Sequence, residues 1–210
     1  MLPVTTVVPS TVAEHFGLKS GISIILLVAF LLFSSQIYGN GKPARGLFLL
    51  AKENMADPRF QKSVILILEH GPTGSVGLII NKPLPVTLNH AFSKLPDAIA
   101  GDQTLYFGGP VNPNVTWVLF QSADQPADAI EVLPEVFAAN AARLFHDEDH
   151  KVKGDNIRIL TGYAGWAPGQ LDMELKRGGW KVQPARAVDI FDEEPESLWD
   201  YLSGKGGLLI

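Results

Sequence analysis

Two neighbouring runs restrict this chain more than any other feature. Ser63-Val64-Ile65-Leu66-Ile67-Leu68-Glu69-His70 is continuous, apolar and β-branched. After Gly71-Pro72-Thr73-Gly74 the chain returns as Ser75-Val76-Gly77-Leu78-Ile79-Ile80-Asn81. Neither run alternates apolar with polar, so each reads as a strand covered on both faces. The glycine- and proline-containing link reads as the turn of a hairpin. A sheet covered on both sides needs layers above and below it.

The flanking segments supply candidates for those layers. Gly46 to Ala51 reads as a further buried strand, and Asp57 before Pro58 has the form of an N-cap with proline at N1 of a short helical turn. Lys82-Pro83-Leu84-Pro85 reads as leaving the sheet, because proline cannot continue a central ladder. Thr87 is placed to cap a helix to about Lys94. Thr104 to Phe107 reads as a strand, with Val115 to Phe120 as its partner. Pro134 opens an expected helix with Phe137, Ala141, Leu144 and Phe145 on its apolar face. Asn156 to Gly162 reads as a strand, and Pro168 as N1 of a helix carrying Leu171 and Leu175, ended by Gly178-Gly179. Trp180 to Val182 and Ser197 to Leu202 read as a last strand and a C-terminal helix. The expected fold is α+β: a compact mixed β-sheet core with flanking helices, like a three-layer sandwich.

The N-terminal part has a different character. Residues 1–19 form a tail, and residues 20–41 carry no charge. The strongly apolar core from Ile22 to Phe33 has the length of a signal-peptide h-region. The whole segment suffices to span a bilayer, which takes about 20 residues. Residues 20–41 therefore read as a transmembrane anchor or a signal peptide, with a helix of the globular domain as a third reading. The protein is expected to be membrane-anchored or exported, with the cytoplasmic face of the membrane an open alternative. Residues 42–210 form the folded domain. Hydrophobic residues make up 46% of the chain and charged residues 19%, the balance of a globular protein. Lys19 offsets Glu14, so the domain keeps the net charge of −5. That balance, with no basic recognition helix in view, argues against direct nucleic-acid binding. There are no cysteines, which removes disulfides, thiolate metal sites and cysteine nucleophiles.

Several patterns invite a chemical reading. His146 and His150 lie four apart, yet the spacing is not that of a zincin, and a solvated acidic turn is the plainer interpretation. Neither Ser63 nor Ser75 sits in a G-x-S-x-G elbow, although His70 and His90 are near in sequence. Gly108-Gly109-Pro110 follows a strand and has the composition of an amide nest for an anion, or of a tight bend. Gly162-Tyr163-Ala164-Gly165-Trp166-Ala167-Pro168-Gly169-Gln170 links a strand to a helix start, where free N–H groups attract anions. Tyr163 and Trp166 would supply a stacking wall, with Gln170 and Glu174 as polar contacts; the alternative is a sharp turn with its aromatics in the core.

Four ordered motifs carry a family resemblance. They are Met55-x-Asp57-x-x-Phe60-x-x-Ser63-Val64-Ile65 with His70, Gly77-Leu78-Ile79-Ile80-Asn81-Lys82-Pro83-Leu84, Phe107-Gly108-Gly109-Pro110-Val111, and Gly162-Tyr163-Ala164-Gly165-Trp166-x-Pro168-Gly169-Gln170-Leu171. In this order and spacing the chain resembles the YqgE/AlgH family of bacterial proteins over residues 44 to 210. The resemblance implies a compact α+β domain and carries a label as a regulator of alginate production or transcription. It brings no catalytic residue, metal ligand or cofactor with it. Lys82 stands where the family usually has arginine, and Ala167 where it usually has glycine. The candidate ligand-binding residues are Asn81, Lys82, Gly108, Gly109, Tyr163, Gly165, Trp166 and Gln170. The expected function is that of a non-enzymatic regulatory or protein-interaction module, with a protein partner and with the membrane contacted through residues 20–41. The alternatives are a small-anion binder or enzyme using the same loops, and a transcriptional regulator.

Overall fold

The hairpin forms as its sequence requires. In the computed structural model, which describes residues 42–93, 99–126, 128–144 and 156–205, β2 spans Val64–Gly71 and β3 spans Gly74–Ile79, paired antiparallel. Val64, Leu66 and Leu68 enter one apolar cluster, and Ile65 and Ile67 enter another on the opposite face. The absence of alternation in the sequence thus reflects a strand with no solvent face. The hydrophobic segment 20–41, the tail before it and the His146–His150 stretch lie outside the described residues.

Eight further strands extend the hairpin: β1 Leu47–Ala51, β4 Pro83–Thr87, β5 Thr104–Phe107, β6 Val111–Gln121, β7 Ala129–Leu133, β8 Val136–Asn140, β9 Ile157–Trp166 and β10 Trp180–Pro184. The main sheet runs β10-β1-β2-β3-β9-β6-β8-β7, antiparallel throughout. β5 joins the side of β9 in parallel and carries β4 outside it. That parallel pair makes the sheet mixed, as expected.

One face of the sheet carries Phe48, Leu66, Leu78, Leu119, Leu160 and their neighbours. It is covered by α4 (Ala187–Phe191) and α5 (Pro195–Leu202), through Ile190, Leu198 and Trp199. The opposite face carries two clusters. Near β6 and β8, α1 (Leu88–Ala91) and α2 (Ala141–Leu144) add Leu88 and Leu144 to Val118, Phe120 and Phe137. Near β1 and β2, α3 (Gln170–Lys176) adds Leu171 to Ile65, Ile67 and Trp166. Three layers result, each large buried side chain contributing about 1.5–3 kcal/mol through burial.

Six local expectations are corrected. Pro134 opens no helix: it and Glu135 (φ 62) form the turn of the β7–β8 hairpin. Val136, Phe137, Ala138 and Ala139 are all buried, on alternating faces, so their apolar run is an inner strand. Pro83 and Pro85 do not leave the sheet but lie in β4, at its outer edge, where a missing N–H costs no ladder bond. β5 pairs with β4 and β9 rather than with Val115 to Phe120, because β9 lies between β5 and β6. The strand beginning at Ile157 continues through Gly162 to Trp166 instead of stopping at the glycines. Pro168 sits in the turn before α3, whose N-cap is Gly169 in a left-handed conformation. By contrast, Asp57 caps the Pro58–Phe60 turn as its sequence suggested, accepting from the Arg59 amide. α1 begins after Thr87 and ends at Ala91, short of the expected Lys94.

Candidate functional site

The candidate residues come together around β9. Asn81 follows β3 and is 5% exposed. Its Oδ1 accepts from the Val64 amide at 2.8 Å, and its Nδ2 donates to the Lys62 carbonyl at 2.9 Å. It therefore ties the start of β2 to the end of β3. Lys82 is half-buried and its Nζ donates to the Arg59 carbonyl at 2.7 Å. Burial holds its ammonium below the usual lysine pKa, with nearby Asp57 pulling the other way. The side-chain hydrogen bond from Arg59 in turn holds the Asp57 carboxyl below the ordinary value.

Gly108 and Gly109 sit where three segments meet. The Phe107 amide donates to the Lys82 carbonyl at 2.9 Å, the Gly108 amide to the Thr161 carbonyl at 2.8 Å, and the Ile79 amide to the Gly108 carbonyl at 2.8 Å. A Cβ on Gly109 would strike the Tyr163 backbone, and one on Gly162 would strike the Gly109 carbonyl. Gly162 has φ 70, a left-handed conformation that interrupts the alternation of β9. Before it, Leu160 faces the α4–α5 side and Ile159 the opposite side; after it, Ala164 and Trp166 face the α3 side. The glycines thus let β9 change neighbours, from β5 before Gly162 to β3 after it.

The aromatic residues complete the junction. Tyr163 packs against the α4–α5 cluster, and its hydroxyl accepts from Asn112 Nδ2 at 3.3 Å. Gly165 is exposed. Trp166 is 7% exposed and meets Trp180 edge-on at 5.9 Å, and Trp180 meets Phe60 edge-on at 5.7 Å. Both indole N–H groups donate to Oε2 of Glu174, at 3.0 and 2.8 Å. Gln170 Nε2 donates to the other oxygen at 2.8 Å, while Gln170 Oε1 accepts from the Ala167 amide at 3.0 Å. One carboxylate thus receives three donors from β9, β10 and α3.

One buried charge occupies a position the motif reading passed over. Arg158 lies within β9, is 6% exposed, donates to the Ile80 carbonyl at 2.6 Å and stacks over Tyr106 at 4.9 Å. Burial lowers its pKa. A lone arginine inside Ile157-Arg158-Ile159-Leu160 was the available signal for it. His70 Nδ1 lies 2.8 Å from Ser75 Oγ across the hairpin, and Ser75 is 5% exposed, so the pair ties the strands together. A groove of about 460 Å³ opens elsewhere, lined by Leu84, Pro85, Val86, Thr87, His90 and Thr104. Among the described residues no group of three or more His, Asp or Glu side chains is placed to hold a metal ion.

Comparison with known proteins agrees with this architecture. The AlgH-like family model matches residues 48–208. A UPF0301 protein of Chlorobaculum tepidum is 34% identical over 165 residues, covering 77% of this chain and 87% of that protein. A UPF0301 protein of Azoarcus sp. is 38% identical over 154 residues, covering 71% and 81%. The crystal structure of a protein from Corynebacterium diphtheriae superposes with a TM-score of 0.68 at 26% identity, covering 85% of this chain and 94% of that one. The solution structure of the AlgH protein from Pseudomonas aeruginosa gives a TM-score of 0.64 at 29% identity, covering 81% and 93%. The motifs that converge on β9 and the matched span together place this chain in the AlgH-like UPF0301 family.

Proposed function

We propose that this protein is a non-enzymatic interaction module whose domain presents the rim of the β9 junction to a protein partner. The supporting observation is how the junction spends its polar groups. Asn81, Gln170, Trp166 and the amides of Gly108 and Ala167 are each hydrogen-bonded within the fold. The exposed remainder of the same motifs includes Arg59, Gly165, Ala167, Pro168 and Gly169. These flank the Phe60–Trp180–Trp166 chain of rings, a rigid base of the kind that favours protein contact. Membrane attachment through residues 20–41 belongs to the same reading. Its support is the uncharged composition of that segment; among the described residues no helix is long and apolar enough to cross a membrane.

The test uses the tagged full-length chain taken from detergent-solubilised membranes. The expected result is retention of one protein in constant ratio to the chain. Arg59→Glu combined with Ala167→Asp is expected to reduce that retention at least tenfold without moving the thermal midpoint. Equal retention by wild type and variant, or recovery of the chain only in the soluble fraction after removal of membranes, would overturn the proposal.

A further inference from the structure

The sheet ends differently at its outer strands. β4 is closed by chemistry. Lys82 accepts from the Phe107 amide, so the next residue, Pro83, and then Pro85 turn toward the outside and offer no N–H there. At the far end of the main sheet, β7 packs back against β2. β10 has neither protection. The Lys52 amide donates to the Gly179 carbonyl and the Ala185 amide to the Gly46 carbonyl, which fixes the pairing of β10 with β1. In that register Lys181 and Gln183 bond to β1, while Trp180, Val182 and Pro184 turn their backbone groups outward. Among the described residues these outward groups have no partner.

Two further observations bear on the same edge. The exposed large apolar side chains of the described residues are Met173, Val188 and Tyr201, at 50%, 45% and 44% exposure. Met173 lies on α3, immediately before β10 in the chain, and Val188 and Tyr201 lie on α4 and α5, after it. Arg186, donating to the Tyr201 hydroxyl at 3.2 Å, joins the end of β10 to that second pair. Charge is also distributed unevenly. Lys176, Arg177 and Lys181 precede the middle of β10; after it come Arg186, paired with Asp189, and then the unbroken acidic run Asp192, Glu193 and Glu194.

We infer that the β10 edge pairs antiparallel with β10 of a second copy of this chain, about a two-fold axis at Val182. This arrangement lets Val182 exchange both backbone hydrogen bonds with its counterpart. The Trp180 amide meets the Pro184 carbonyl of the other copy, and Pro184 ends the ladder because it has no N–H. Antiparallel order also sets the Lys176–Arg177 end of each copy toward the α4 end of the other, where Arg186 is paired with Asp189 and Asp192, Glu193 and Glu194 follow. Complementary charge fixes such a register and suppresses parallel pairing. Met173 lies on the helix covering one face of the sheet, and Val188 and Tyr201 lie on the helices covering the other.

Sedimentation of the full-length chain in detergent tests this. The wild type is expected to sediment as a dimer at micromolar concentration. Val182→Pro removes the outward N–H together with part of a side chain packed against the α3-side cluster, so it is expected to sediment as a monomer, with a thermal midpoint lowered no more than that of a Val182→Ala control that keeps the N–H. Because the chain has no cysteine, Val182→Cys gives a second readout. Cα atoms of a hydrogen-bonded antiparallel pair lie about 5.5 Å apart, within disulfide range, so mild oxidation is expected to yield a covalent dimer. A wild type that remains monomeric, a Val182→Pro dimer as stable as wild type, or a Val182→Cys chain that does not cross-link would each overturn the inference. If Val182→Pro lowers the midpoint further than Val182→Ala, the cross-link decides alone.

Discussion

Gly162→Ala is expected to destabilise the domain by about 4 kcal/mol, from about 1–2 kcal/mol for holding a Cβ in the left-handed region and about 1–3 kcal/mol for overpacking. The second contribution is large here because the atom in the way is the Gly109 carbonyl, a backbone group held between β9 and β6. The approach is close from both sides, since a Cβ on Gly109 would in turn strike the Tyr163 backbone. Gly169 supplies the control. It also has a left-handed φ, 72, but no atom within 4 Å of an added Cβ. Gly169→Ala is therefore expected to cost about 1 kcal/mol, the conformational part alone. Urea unfolding followed by tryptophan fluorescence checks both. Equal losses would show that close packing at Gly162 contributes nothing.

Glu174→Ala is expected to cost about 3 kcal/mol, because it leaves buried donors without an acceptor. Trp166 and Trp180 are 7% and 5% exposed, so water does not readily replace the carboxylate. Each stranded buried donor costs about 1–3 kcal/mol. Gln170 loses its partner as well, but it is less buried and contributes less. Glu174→Gln keeps one carbonyl oxygen for the indoles and is expected to lose about half as much, on the same scale of about 1–3 kcal/mol per donor. At about 2–4 °C per kcal/mol for a domain of this size, alanine lowers the midpoint by roughly 6–12 °C. A midpoint within about 1 °C of wild type would mean that the carboxylate does not hold the two indoles.

How far the sequence revealed this structure depended on whether a signal was local. The β2–β3 hairpin and the Asp57-Pro58 cap were legible because turn and cap chemistry involves residues close in sequence. So was the end of α3, where the Gly178 amide bonds to Leu175 and the Gly179 amide to Glu174. The β7–β8 hairpin was not. Phe137 falls at helical spacing from Ala141 and Leu144, which do form α2, and only the pairing of β8 with β6 and β7 shows that Val136–Asn140 before them is a strand. The same reason hid the course of β9. Its glycines resemble a turn until Gly108 and Gly109 are seen pressed against them from another part of the chain. Of the candidate site, the positions were legible and their partners were not. Trp166, Gln170 and Glu174 stood out as one group, but that Glu174 is the acceptor for both indoles was not legible, because Trp180 carried no mark beyond its strand.

If, as proposed, the polar groups of these motifs serve the fold and the domain acts through its surface, no small ligand finds a site at the β9 junction. The most direct measurement is the thermal midpoint of the full-length protein against a panel of phosphate, nucleotides, carboxylates and sugar acids. A ligand bound by the native state raises stability by RT ln(1 + [L]/Kd), about 2.7 kcal/mol at a hundredfold excess over Kd. The expected result is no saturable rise with any of them. A saturable rise that disappears in a Lys82 or Gln170 variant of wild-type stability would contradict it and assign the β9 junction to a small ligand.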